Sequence, residues 1–272
     1  MRRPDVTERT VTEHYAIVSS RYADFVRRLE LWYRPAWNSS ELVLQWVQRA
    51  RPESVLEVGC GNRGAGPDIT SAYPGVFYLG YDLSPEMVRL AEVRWGSAGC
   101  RYTSSITQVN DRVAQTPFGL GLALFTLHDH SEKDRTIRWV AQCLSVLALF
   151  GIVDLSTQDL PRLTCLLTEG LGVSGMRADS RLSSAWIDRV AREVGFEILE
   201  NGQIHLEINF PSAEDLIEYL DVFGICHGMD LPLGLEPEAY ANNVLRIREL
   251  CSKWSFPFRD ERVFFSCLLA RR

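Results

Sequence analysis

The chain has 272 residues, 46% of them apolar and 24% charged, with a net charge of −6. Such a composition suits a globular protein large enough to close a core without disulfides or metals, and its acidity excludes the basic footprint of a nucleic-acid binder. A mean hydropathy of −0.08 leaves no apolar run that would cross a bilayer, and Met1 to Asp5 lead into no apolar signal segment, so a soluble cytoplasmic protein is expected.

In chain order, residues 7–50 predict helices. Val11, Tyr15, Val18, Tyr22, Phe25 and Leu29 recur at three- and four-residue spacing and form one apolar stripe. Ser39-Ser40 offers an N-cap for a helix over Glu41 to Ala50 that turns Leu42, Val43, Trp46 and Val47 inward, and Arg51-Pro52 ends it. Trp32, Tyr33 and Trp37 lie just ahead, placed either to line a pocket or to staple the two helices.

From Ser54 the pattern alternates between strand and helix. Apolar runs at Val55 to Val58, Phe77 to Tyr81, Gly121 to Leu127 and Gly151 to Leu155 predict strands; Ile69 to Ala72, Pro85 to Trp95 and Lys133 to Leu147 predict helices between them. Continuous apolar strands separated by amphipathic helices imply a mostly parallel sheet covered on both faces. A helix over Ser183 to Val194 stops at Gly195, and Phe196 to Leu199, Ile204 to Phe210 and Arg262 to Ala270 are the remaining strand candidates. Between the last two, Pro211 to Pro257 holds helical patterns at Ala213 to Phe223 and Pro237 to Lys253.

The seven cysteines are scattered, odd in number and never spaced C-x-x-C, which argues for buried thiols over a disulfide framework or zinc site; no metal is expected. Only Lys133 and Lys253 among the 29 basic residues are lysine, a bias that hints at a GC-rich bacterial source.

The chemistry gathers where the first strand turns. Gly59-Cys60-Gly61-Asn62-Arg63-Gly64 follows it, and glycines there let the backbone curl and turn amides toward a ligand. Asp82 ends the next strand, where a carboxylate can accept both hydroxyls of a ribose. The same spacing fits a dinucleotide site. Glu57, an acid in an apolar strand, needs a partner. A ligand ammonium would serve and an anionic pyrophosphate would not.

Val55-Leu56-Glu57-Val58-Gly59-Cys60-Gly61 resembles the first motif of class I S-adenosylmethionine-dependent methyltransferases, and Gly80-Tyr81-Asp82-Leu83-Ser84-Pro85-Glu86-Met87 resembles their second. Leu124 to His130 resembles the fourth strand with its loop, and Gly151 to Ser156 the fifth. The resemblance spans about residues 50–200 and is strongest for small-molecule methyltransferases. It implies a Rossmann-like fold, S-adenosylmethionine as cofactor, and cofactor contacts from Glu57, Gly59, Gly61, Asp82, Leu83, Met87, Ser105 and Phe125. The sequence departs from the family where Asn62-Arg63-Gly64 replaces the usual Thr-Gly, and where Ser105 stands for an acid beside the adenine. By the same resemblance the leading helix is a lid that brings Tyr15 and Tyr22 over the cofactor, whereas His14 reads as a solvated residue.

Methyl transfer needs a positioned acceptor and, for many acceptors, a base. His128 and His130 follow the fourth strand and are the candidate bases, with helix capping as the competing role. His205, Tyr219, Phe223, His227 and Trp254 are candidate substrate contacts. The expected organisation is an α/β protein of three parts. They are an N-terminal helical lid (1–50), a Rossmann-like core (51–210 with 258–272) and a helical cap before the last strand (211–257). A small-molecule partner is expected, with bacterial secondary metabolism suggested by the source hint alone; neither nucleic acid nor membrane is expected, and a homo-oligomer is compatible with the sequence. Two alternatives stay open: an NAD-linked oxidoreductase, and a methyltransferase-like protein that binds the cofactor without methyl transfer.

Overall fold

A computed structural model describes residues 6–130, 132–172, 181–223 and 237–272. The most apolar stretches form its centre. Strand β2 (Ser54–Val58) is buried along its whole length and pairs in parallel with β3 (Phe77–Tyr81) on one side and β5 (Phe118–Leu124) on the other. Beyond β3 lies β4 (Cys100–Thr103), and beyond β5 lies β6 (Leu144–Leu155), both parallel. Antiparallel to β6 runs β8 (Phe258–Arg271), then β7 (Phe196–Phe210) and the short β1 (Tyr33–Arg34). The eight strands are ordered β1-β7-β8-β6-β5-β2-β3-β4. The chain leaves β2 toward β3 and β4 and then returns to β5 on the opposite side. That reversal opens a crevice at the carboxyl ends of β2 and β5, the place where open α/β sheets bind ligands.

Helices cover both faces. One hydrophobic cluster unites α1 (Val6–Glu30), α2 (Ser39–Ala50), α3 (Gly66–Ala72), α4 (Pro85–Trp95), α7 (Pro161–Leu171), α9 (Ala213–Val222) and α10 (Pro237–Cys251) with the first face. The second face is covered by α5 (Ile106–Gln115), α6 (Lys133–Cys143) and α8 (Ser184–Val194). Helix starts follow local chemistry. Ser84 and Ser183 accept hydrogen bonds from the amides of Met87 and Trp186, and Gly195 stops α8 in the left-handed conformation.

Several boundaries differ from the sequence expectation. Asn38, ahead of the two serines, caps α2 by accepting from the Ser40 amide. The helix expected to run to Leu147 stops at Cys143, because from Leu144 onward the chain pairs with β5. The strand read as Gly121 to Leu127 lies instead at Phe118–Leu124. The two strands expected after Gly195 are one: Glu200 to Gln203 has turn-like composition, but β8 offers each residue a partner and a register shift between Ile198 and Glu200 absorbs the misfit. Strand β1 and helices α5 and α7 are not among the expected elements, although α7 buries Leu163, Leu167 and Leu171 at helical spacing.

Helix α1 lies across the crevice and is pinned along its length. His14 Nε2 meets the Val222 carbonyl at 2.9 Å, Arg28 pairs with Glu218 at 2.6 Å, and Asn62 Nδ2 donates to the Ser19 carbonyl at 2.9 Å. His14 is thus buried, not solvated as its sequence context suggests; α9 covers the face on which it lies. Among the described residues no helix is long and apolar enough to cross a membrane.

Candidate active site

The turn after β2 is shaped by its glycines. Gly59 takes φ +70°, and a Cβ there would lie 1.9 Å from Thr126 Oγ1, so only glycine lets the β2 and β5 turns approach this closely. Gly61 takes φ +57°, and a Cβ on it would meet nothing within 4 Å; its backbone borders open space. Its amide donates to Asp82 Oδ2 at 2.8 Å while the Ser84 amide donates to Oδ1 at 2.8 Å. Asp82 is therefore fixed in orientation, with one lone pair of each oxygen left for a ligand. Burial pushes its carboxyl up from the ordinary value, and the amides of Ser84 and Gly61 pull it partly back.

Glu57 finds its partners inside the protein. Its Oε2 accepts from the Ala65 amide at 2.7 Å and the Tyr78 hydroxyl at 2.8 Å. Burial pushes the carboxyl up to about 7, against both hydrogen bonds. The acid in an apolar strand thus has internal partners, but both bonds end on Oε2, and the residue also borders the cavity.

The loop after β5 is organised around a residue outside the predicted site. Asp154, near the end of β6, is wholly buried. Its Oδ2 accepts from the amides of Thr126, Leu127 and His128 at 3.2, 2.7 and 3.3 Å; its Oδ1 lies 2.6 Å from His128 Nδ1. Burial opposes the charge, but His128 and the surrounding amides outweigh it and hold this carboxyl below its ordinary value. The loop can converge on Asp154 because Phe125 takes φ +54°, a strained conformation for a bulky residue. Asp154 does carry a sequence signal, the same one that marks Glu57: it is an acid in an apolar strand.

The two histidines separate. His128 lines the large cavity beneath α1, with Nε2 3.7 Å from Asp129 Oδ1. His130 lies outside the cavity lining, its Nδ1 3.0 Å from the Thr136 hydroxyl, and burial pushes its imidazole down to about 4. His130 thus packs on α6 and is too weak a base near neutrality, which corrects its candidacy.

The cavity has a volume of about 950 Å³. Tyr15 and Tyr22 from α1 reach it, as do Glu57, Gly59, Gly61, Phe125, Tyr219 and Phe223. Tyr15 donates to Asp129 at 3.1 Å, and burial together with Asp129 and Asp82 keeps the Tyr22 phenol protonated. Tyr33 and Trp37 line the cavity, while Trp32 packs between Phe25 and Phe210. Leu83 and Ile106 are exposed apolar residues at the ends of β3 and β4.

Other expected contacts fall elsewhere. Met87 is 2% exposed and belongs to the core, offering no surface to an adenine. Ser105 caps α5 by accepting from the Gln108 amide, which leaves its hydroxyl proton and a second lone pair. His205 pairs with Glu261 on the exposed face of β7 and β8, because strand alternation turns it away from the cavity. Trp254 stacks on Phe258, outside the lining. His227 lies outside the described residues. Among the described residues no cluster of metal-ligating side chains occurs.

No family model matches the sequence, and neither does any curated protein. Solved structures do resemble it. A protein of Bacillus halodurans C-125, provisionally named a methyltransferase, shares 15% identity over 84% of this chain and 97% of its own, with a TM-score of 0.54. The [4+2]-cyclase SpnF shares 15% identity over 96% of this chain and 94% of its own, at 0.56. The plantazolicin methyltransferase BpumL, solved with a desmethyl plantazolicin analogue and S-adenosylhomocysteine, shares 12% identity over 98% of this chain and 97% of its own, at 0.52. At these identities the likeness is one of fold. The chain has the Rossmann-like fold of S-adenosylmethionine-dependent methyltransferases.

Proposed function

We propose that the protein is an S-adenosylmethionine-dependent methyltransferase acting on a small-molecule metabolite. The observation that carries this reading is one cavity bordered both by the glycine turn beside Asp82 and by a histidine oriented by a buried aspartate. The residues suit the cofactor. The open backbone at Gly61 would receive its methionine portion, the free lone pairs of Asp82 its ribose, and exposed Leu83 and Ile106 the faces of its adenine. When bound, it supplies an electrophilic methyl group.

The chain's own residues would do the rest. Asp154 accepts at His128 Nδ1, which orients the ring and makes Nε2, 3.7 Å from Asp129 Oδ1, the atom that would take a proton from an acceptor hydroxyl or amine. Asp154 then stabilises the imidazolium. Tyr15, Tyr22 and α1 exclude water above the reacting atoms. A natural-product acceptor is favoured because BpumL, matched over nearly its whole length, is named for one; an arginine-rich, lysine-poor composition supports a bacterial source. The whole lid, core and cap arrangement belongs to this proposal.

Thermal unfolding tests it directly. S-adenosylhomocysteine at 100 times its Kd should stabilise the protein by roughly 2.7 kcal/mol, and NAD should leave the transition unmoved; the reverse result sinks the reading in favour of an oxidoreductase. The likeness to a [4+2]-cyclase keeps a second reading, a cofactor-bound scaffold for another reaction. Binding of S-adenosylhomocysteine without methylated product across an acceptor panel would select it.

A further inference from the structure

Away from the glycine turn, the cavity ends in a polar cluster that methyl transfer leaves unused. Arg262 on β8 and Arg181 before α8 both line it, and their side chains are 4% and 6% exposed. Both guanidinium groups face the same buried carboxylate oxygen, Asp159 Oδ2, at 3.3 and 3.4 Å. The other Asp159 oxygen accepts from the Val263 amide at 2.8 Å. Asp260, two residues before Arg262 on β8, is turned to the first amides of α7, accepting from Leu163 at 2.6 Å. Arg181 also donates to the carbonyls of Ser156 and Asp159 at 3.4 and 2.9 Å. Two buried cations thus converge on one carboxylate oxygen, where buried charge calls for a counter-charge close by.

Arg262 is short of partners in other respects. Its Nη1 donates to the Tyr219 hydroxyl and approaches Asp159, but its buried Nε has no hydrogen-bond partner among the described residues. Because Tyr219 accepts from Arg262, its own proton is available to donate into the cavity, which it also lines. Around the cluster the wall is apolar, formed by Leu155, Leu160, Leu163 and Leu167. An aromatic path leads from it to the β5 loop. The Arg262 guanidinium sits 4.9 Å from the Phe264 ring centre, and Phe264 lies 4.9 Å from Phe125, three residues before His128.

We propose that Arg262, Arg181 and Tyr219 form a subsite for a carboxylate of the acceptor. The substrate class is then an aromatic or apolar acid, its carboxylate held at the arginines, its body along Phe264, Phe125 and Trp37, and its nucleophilic atom toward His128. A carboxylate plane suits the planar guanidinium of Arg262, which shares its counter-charge Asp159 with Arg181. The proposal rests on the methyltransferase reading for the direction in which the acceptor lies.

Calorimetric titration of the unaltered protein tests it, using benzoate and 3-phenylpropionate against their amides, each with and without saturating S-adenosylhomocysteine. At least one acid should bind roughly tenfold or more tightly than its amide, as a charge-assisted pair requires. Arg262→Lys, which keeps the charge beside Asp159 but loses the planar fork, should cut that preference several-fold while the thermal midpoint stays close to the parent's. Arg181→Gln should cut it as well. Equal binding of acids and amides, no binding by any acid, or a preference untouched in both variants would overturn the subsite. Failure of S-adenosylhomocysteine to bind, with the acid preference intact, would instead remove the methyltransferase reading alone.

Discussion

His128 and Asp154 make the sharpest residue-scale expectation. The carboxylate orients one imidazole nitrogen and the backbone amides fix the carboxylate, so the proposed base is held in place within the protein. His128→Ala should lower kcat by roughly 10²–10⁴-fold, the usual contribution of a general base, with S-adenosylhomocysteine affinity unchanged by calorimetry. His130→Ala should leave kcat within a few-fold. Glu57 makes a second expectation, in stability. Its folded carboxyl sits at about 7 against an ordinary 4.5, so the folded state holds the proton more tightly than the unfolded one between those values. Stability relative to the Glu57→Gln variant should therefore fall as pH rises through that window, by on the order of 3 kcal/mol at full ionisation. His130 slopes the other way below 6.5, since burial keeps it neutral. Denaturant titrations of the parent and the Glu57→Gln variant in parallel cancel that contribution, and a flat difference would refute the assignment.

At the scale of elements, helix α1 is what turns an open crevice into a cavity. The departure of Asn62 from the family pattern gains a reason here: its side chain reaches the Ser19 carbonyl and ties the glycine turn to the helix. Asn62→Ala removes one buried hydrogen bond, worth about 1 kcal/mol. Hydrogen exchange along α1 should speed up, and S-adenosylhomocysteine should bind roughly five-fold more weakly. Unchanged exchange would mean that the links to α9, through His14 and Arg28, hold the helix unaided. The strands are legible in the sequence where apolar residues run together, as in β2 and β3. They are obscured in β7, where turn-like residues are held extended by β8 alone.

At the scale of the whole molecule, the sheet order explains why the site is where it is. Reversal of the chain between β4 and β5 places the β2 and β5 turns side by side, and the antiparallel β8 then carries Arg262 to the far end of the same cavity. The glycine turn, His128 and the arginine pair thus come from separate stretches of sequence, and no local pattern joins them. The two predicted substrate residues that do line the cavity, Tyr219 and Phe223, are on α9 and at its end, packed beneath α1.

The alternation of strands and helices, the glycine turn and Asp82 are legible in the chain alone. These are local: hydrophobic period, capping residues and backbone freedom are all written within a few positions of one another. That Glu57 accepts from Tyr78, that His128 and not His130 lines the cavity, and that Asp154 stands behind it follow from packing alone. Packing also placed His205 on the outside and Arg262 within. Those outcomes depend on which strand lies beside which and which face a helix covers. Partners brought together by packing leave no spacing in the chain.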